Sequence, residues 1–157
     1  MANEPAHPCS IRPATPGDCE AVAGLAAGLH ATLGDPVGNF TPDVILADAF
    51  GDEPQFKIVV AETADGIVGY ALYGQAYETA YAARGLFLND LYVSEQARRK
   101  GIASALVHAL KDQAHRERRR FVWWVSDPQN IAAREFYAAM SPQNERIVRA
   151  HAIVLED

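Results

Sequence analysis

The strongest constraint on this chain is a succession of three β-rich segments that ends in a basic, glycine-containing turn. Phe56 to Glu62 and Ile67 to Tyr77 carry branched and aromatic residues at strand density. Between them lies Ala64-Asp65-Gly66, whose Asp-Gly step favours a tight hairpin. Gly85 to Val93 is a third segment of the same kind, reached through a loop holding Glu78, Thr79 and Tyr81. Beyond Val93 the period changes: Ile102, Ala105, Leu106, Ala109 and Leu110 share one face of a helix running from Gly101 to about Glu117. A three-stranded meander must therefore feed almost directly into a helix N-terminus.

The flanking segments complete an alternating pattern. Cys9 to Arg12 reads as a short strand, and Thr15-Pro16 supplies an N-cap and a proline at the first helical position for a helix running toward Gly34. Thr41-Pro42 repeats that signal for a helix ending at Gly51. Phe121 to Val125 is expected to be a buried strand, Asn130 to Met140 a short helix, and Glu145 to Leu155 a final strand. The order β-α-α-β-β-β-α-β-α-β predicts an α+β fold with a mixed, mainly antiparallel central sheet flanked by helices. Residues 1–8 read as a disordered leader and 9–157 as a single domain.

With 157 residues and 49% hydrophobic content, the chain can bury one continuous core. It has neither the basic start and apolar run of a signal peptide nor an apolar stretch long enough to cross a bilayer, so a soluble, cytoplasmic protein without membrane partners is expected. Cys9 and Cys19 lack metal-ligand spacing and read as free thiols. His108 and His115 lie two turns apart on one helix, too far to share a metal, and no metal is expected. The net charge of −6 argues against a nucleic-acid partner and favours a cationic one. The single basic run, Arg116-Glu117-Arg118-Arg119-Arg120, falls at a predicted helix C-terminus, where solvated cations meet the negative end of the helix dipole.

The turn after Val93 has the makings of an anion site. A helix N-terminus presents unpaired N–H groups and partial positive charge. Gly101 and Ala103 would let an anion reach the backbone, Arg98, Arg99 and Lys100 would attract it, and Ser104 could donate a further hydrogen bond. Neither a P-loop pattern nor a dinucleotide-binding G-x-G-x-x-G accompanies this turn.

The pattern Arg98-x-x-Gly101-x-Ala103, after a strand ending Asp90-Leu91-Tyr92-Val93, resembles the [QR]-x-x-G-x-[GA] motif of the GNAT superfamily of N-acetyltransferases. Ile11-Arg12-Pro13-Ala14-Thr15 with Asp18 is similar to the family's opening, Gly69-Tyr70-Ala71-Leu72-Tyr73 to its third strand, and Asn130-Ile131-Ala132-Ala133-Arg134-Glu135-Phe136-Tyr137 to its asparagine-to-Phe-Tyr helix. The spacing most resembles the spermidine/spermine (diamine) acetyltransferase-like branch. This resemblance implies acetyl-CoA as cosubstrate, in a splayed gap between the strands Gly85 to Val93 and Phe121 to Val125. Backbone groups of Leu91, Tyr92 and Val93 would hold the pantetheine. The amides from Arg99 through Ile102 and Ala103 to Ser104 would take the pyrophosphate, and Asn130 and Ala133 would lie along the CoA arm. Tyr137 would donate a proton to the departing thiolate, whereas Phe136 reads as core. A homodimer is also implied.

Acetyl transfer to an amine needs the free base. For an amine of pKa near ~10.4, deprotonation at neutral pH costs roughly 4 to 5 kcal/mol, so a base or a water chain must take the proton. Asn89 stands where the diamine branch carries an acid, and an amide cannot serve as base. Asp90 would point to the opposite face from Asn89 in a regular strand, Glu78 lies in the preceding loop, and a water chain needs no dedicated residue. Of Trp123 and Trp124, one indole would pack in the core while the other, assigned to Trp124, could border the acceptor pocket. Glu78, Asn89 and Trp124 are thus the candidate acceptor contacts. The expected activity is direct transfer to a primary amine of a small molecule. A peptide or protein N-acetyltransferase and a non-catalytic acyl-CoA-binding regulator are the alternatives.

Overall fold

The computed structural model describes residues 9–142 and 144–155. The expected leader, 1–8, lies outside the described residues. The chain divides into two compact units, with the boundary between Val125 and Ser126.

The first unit is built on a five-stranded sheet in the order β1 (Ser10–Pro13), β2 (Lys57–Thr63), β3 (Gly66–Glu78), β4 (Ala83–Val93), β5 (Phe121–Trp123). All neighbours are antiparallel except β4 and β5. The Asp-Gly signal forms the expected hairpin: Thr63 pairs with Gly66, which takes a left-handed φ of 103° that glycine adopts without steric cost. Helices α1 (Cys19–Leu33) and α2 (Pro42–Phe50) cover one face of the sheet. There Val22, Ala26, Ile45, Ile58, Val60, Tyr70 and Leu72 form a buried cluster. Helix α3 (Ile102–Arg116) crosses the other face, carrying Leu106 and Leu110 into a core that includes Leu86 and Leu88, and returns the chain to β5 parallel to β4.

The helix starts follow their sequence signals. Thr41 Oγ1 accepts the Val44 amide, and Thr15 and Asp18 form a reciprocal capping box around a short 3-10 turn, Pro16–Asp18, ahead of α1. Asp18 is buried and also receives both terminal nitrogens of Arg12, at 2.8 and 3.0 Å, while Arg12 Nε donates to Glu62 at 2.7 Å. This network ties β1 to β2 and to the entry of α1.

Two strands differ from expectation. The segment expected as a buried strand from Phe121 to Val125 pairs only over Phe121–Trp123, and Trp123 is 46% exposed. The expected last strand, Glu145 to Leu155, has no regular secondary structure. Ile147, Ile153, Val154 and Leu155 are between 86% and 91% exposed, and a β-prone run becomes a strand only where it finds a hydrogen-bonding edge. The second unit contains one helix, α4 (Ile131–Ala139).

The hydrogen bonds of Arg12 outweigh the burial that disfavours its charge and hold the Asp18 carboxyl down at about 2, against 3.8 ordinarily. A depressed carboxylate stabilises the fold above its unfolded pKa and loses that contribution as pH falls toward the folded value. Asp18→Asn is expected to lower unfolding free energy by about 2 kcal/mol at neutral pH, with the difference closing between about pH 4 and pH 2 in urea titrations.

Candidate active site

Strand β4 touches β5 through only three register pairs, Gly85–Phe121, Leu86–Val122 and Phe87–Trp123. From Leu88 to Val93 it keeps β3 on one side, but its other edge has no strand partner among the described residues. The alternate backbone N–H and C=O groups on that edge can take an extended ligand as an added strand. Leu91, Tyr92 and Val93 lie on this open stretch. The Tyr92 side chain is occupied elsewhere: its ring lies 5.4 Å from the Arg98 guanidinium, and its hydroxyl sits so close to Gly28 that a methyl group there would lie 2.7 Å away. Only the backbone of Tyr92 is thus available to a ligand.

The strand is also bulged. Tyr73 pairs with Leu88 and Leu72 with Asp90, so Asn89 is an extra residue without a cross-strand partner. This overturns the expectation that Asn89 and Asp90 face opposite ways. Asp90 lies opposite Leu72 on the α1–α2 face, and the Asn89 carboxamide oxygen lies 4.0 Å from the Cβ position of Gly74, two residues along β3 on that same face. Asp90 accepts the Tyr70 hydroxyl at 2.9 Å, and burial followed by the Asp90 charge pushes the Tyr70 phenol well above its usual range. Tyr70 is the partner that sequence reading did not connect to this region. Its signal was the hairpin register, which places it one pleat from Asp90.

Downstream of Val93, a 3-10 turn, Glu95–Ala97, leads into the basic segment. Arg98 Nε donates to the Val93 carbonyl at 3.0 Å, so this side chain fastens the turn to the end of β4 while stacking on Tyr92. Arg99 and Lys100 are exposed, and Arg99 has a left-handed φ of 61°. Gly101 is the N-cap of α3 at φ 77°, with no side-chain cap, and the first helical hydrogen bond is Ala105 N–H to Gly101 O, at 3.0 Å. A left-handed residue followed by a helical one turns successive N–H groups toward a single concavity suited to anions. Space at Gly101 is open, with nothing within 4 Å of a Cβ built there, so the backbone conformation and a clear approach both favour glycine. Ile102 has its side chain in the core and offers only its amide. Ala103 and Ser104 are half-buried in the first turn.

The remaining candidates are dispersed. Glu78 ends β3 and accepts the Ala80 amide at 3.1 Å. It lies five residues beyond Tyr73, roughly 17 Å along the strand from the bulge, so the structure does not bring it to Asn89. Trp124 follows β5 and is half-buried. Within the basic run Arg116, Arg118 and Arg120 are exposed, as expected of a solvated helix end, while Arg119 donates to Glu117 and to the Gly85 carbonyl, and Glu117 also accepts from Lys57 and Gln113. Burial opposes the Glu117 charge, yet these donors hold its carboxyl at about 2. A cavity of about 310 Å³ between Arg12, Phe50, Lys57, Tyr73 and Arg116 contains none of the candidate site residues.

In the second unit Asn130 caps α4, its Oδ1 accepting the Ala133 amide at 3.1 Å. An asparagine directly before an apolar helical segment is a readable cap signal. Phe136 and Tyr137 are half-buried, with ring centroids 5.2 Å apart and nearly edge-on, and burial raises the Tyr137 phenol. Ser141 takes a left-handed φ of 52° just past the helix, a position that glycine more often fills.

An open strand edge leading into an uncapped, glycine-started helix is suited to an extended ligand with an anionic end. The chain belongs to the acetyltransferase (GNAT) family, whose model matches residues 29–141. It is 33% identical over 114 residues to a thialysine N-epsilon-acetyltransferase of Bos taurus, covering 66% of each chain. It is 31% identical over 113 residues to a human spermidine/spermine N(1)-acetyltransferase-like protein, covering 66% of this chain and 16% of that one. The chain therefore spans just under two thirds of the bovine relative and a small part of the human one. These relatives bear out the resemblance to the diamine acetyltransferase-like branch. Among solved structures, an aminoglycoside acetyltransferase from an uncultured soil metagenomic sample superposes with a TM-score of 0.77 at 21% identity, covering 94% of this chain and 97% of that one, which establishes the shared fold.

Gly101→Asn tolerates the left-handed backbone but places an amide group in the open approach. It is expected to weaken acetyl-CoA binding at least tenfold by calorimetry, with thermal stability nearly unchanged. Wild-type affinity in this variant would remove the turn from the ligand site.

Proposed function

We propose that this chain is an acetyl-CoA-dependent N-acetyltransferase, one acetyltransferase domain over residues 9–157, that transfers acetyl directly to a primary amine of a small cytoplasmic molecule. The carrying observation is the unpaired β4 edge leading into α3 at left-handed Gly101. On this reading the backbone of Leu91, Tyr92 and Val93 binds the pantetheine, and the amides from Arg99 to Ser104 take the pyrophosphate with Arg99 and Lys100 adding charge. Arg98 holds the turn in place. Asn130 shapes the start of α4 through its cap, and Ala133 lies along the CoA arm.

The chemistry follows from the groups present. A backbone N–H near Leu91 or Tyr92 polarises the thioester carbonyl while the amine nitrogen forms the new C–N bond. Tyr137, a phenol protonated at neutral pH and shifted further up by burial, passes its proton to the sulfur as the C–S bond breaks. Asp90, or a water chain that needs no dedicated residue, takes the amine's proton, which returns to the phenol through solvent. Among the described residues no cluster of His, Cys, Asp and Glu could hold a metal, and no helix is long and apolar enough to cross a membrane. The names of the relatives, a thialysine N-epsilon-acetyltransferase and a spermidine/spermine N(1)-acetyltransferase-like protein, support a small amine acceptor.

The protein works as a homodimer on this reading, supported by the exposed apolar side chains of Ile147, Ile153, Val154 and Leu155. Sedimentation velocity at micromolar concentration is expected to show a dimer, and Ile153→Asp with Leu155→Asp to shift it toward monomer. For the chemical step, Tyr137→Phe is expected to lower kcat by about 100-fold or more with the KM for acetyl-CoA unchanged. Turnover equal to wild type would remove Tyr137 from the reaction.

A further inference from the structure

The α1–α2 face of the sheet is only partly covered. Its buried cluster ends at Leu72, and beyond it the same face presents Gly74, Phe87, Asn89, Phe121 and Trp123, all half-buried or exposed. Phe87 and Trp123 form the last pair before β4 and β5 separate, with ring centroids 4.9 Å apart at 55°. They lie at the closed end of the gap whose open end faces Gly101. Gly74 opposite Phe87 keeps the floor low. No side chain fits at Gly85, where the Phe121 ring lies against the backbone.

Charge on this floor is sparse. The carboxylates of β3 and β4 on the face are Asp90 and Glu78, and each already accepts a hydrogen bond, from the Tyr70 hydroxyl and the Ala80 amide. Glu78 is five residues past Tyr73 along β3, and the bulge residue beside the rings is the neutral Asn89. One carboxylate near the rings suits one ammonium. A second cation on the acceptor would find no further carboxylate on this face among the described residues of β3 and β4, and would exchange its hydration for a carboxamide and the weaker attraction of the ring faces.

We infer that the acceptor is a monoamine carried on a flat apolar body, which packs on the Phe87–Trp123 pair while its nitrogen reaches the gap beside Asn89 and Asp90. This rests on the reading of the site as an N-acetyltransferase. Trp123 is then a specificity-determining residue: it binds the acceptor's body and leaves the chemical step to other groups.

Thiol release would be measured at saturating acetyl-CoA with 2-phenylethylamine, hexylamine, lysine and spermidine. The expected kcat/KM for 2-phenylethylamine exceeds those for lysine and spermidine by about tenfold or more, and Trp123→Ala raises its KM by about tenfold with kcat and the KM for acetyl-CoA held within about twofold. Trp123→Phe restores most of the affinity, which a merely structural role for the exposed indole would not require. Preference for spermidine or lysine, or an unchanged KM in Trp123→Ala, overturns the aromatic floor while leaving the acetyltransferase reading intact. Absence of turnover with every amine, despite acetyl-CoA binding, defeats the acetyltransferase reading and the inference with it.

Discussion

Among the described residues, strand β4 has two strand neighbours for only three residues, Gly85 to Phe87, and one thereafter. Backbone polar groups released by that parting cannot stay unpaired in a dry interior, so the gap must hold water or a ligand with donors and acceptors of its own. Helix α3 makes the parting permanent. It crosses from the end of β4 to the start of β5 with Leu106 and Leu110 fully buried, and Arg119 and the Arg120 amide fasten its far end to the carbonyls of Gly85 and Arg84. The two strands are therefore clamped at the closed end and free at the other.

The polar clamps divide the work between fold and site. Arg12 with Asp18 and Glu62 anchors the entry to α1, and Glu117 with Lys57, Gln113 and Arg119 anchors the exit from α3. Tyr92 links three parts at once: its backbone belongs to the open edge, its hydroxyl reaches Gly28 of α1, and its ring supports Arg98. The basic turn is consequently held through the Arg98 side chain. Its most conspicuous cation, Arg98, holds the turn, while Arg99 and Lys100 remain exposed.

Much of this was legible in the sequence because it depends on local signals. Thr-Pro helix starts, the Asp-Gly hairpin and the switch of hydrophobic period after Val93 each act within a few residues, and each appears where expected. The bulge was not legible: Leu88-Asn89-Asp90 has the same composition whether the strand is regular or carries an extra residue, and only the pairing with Leu72 and Tyr73 decides. That one residue changes which side chains share the α1–α2 face of the sheet. Glu145 to Leu155 shows the converse, since its strand propensity is accompanied by no regular secondary structure and its apolar side chains are exposed.

If the open β4 edge and the first turn of α3 together hold acetyl-CoA, amide hydrogen exchange reads both directly. Adding saturating acetyl-CoA is expected to slow exchange selectively for amides among Leu91 to Val93 and Gly101 to Ser104, leaving the β1–β2 pairing unchanged. Protection confined to other segments, or none at saturating ligand, would contradict it.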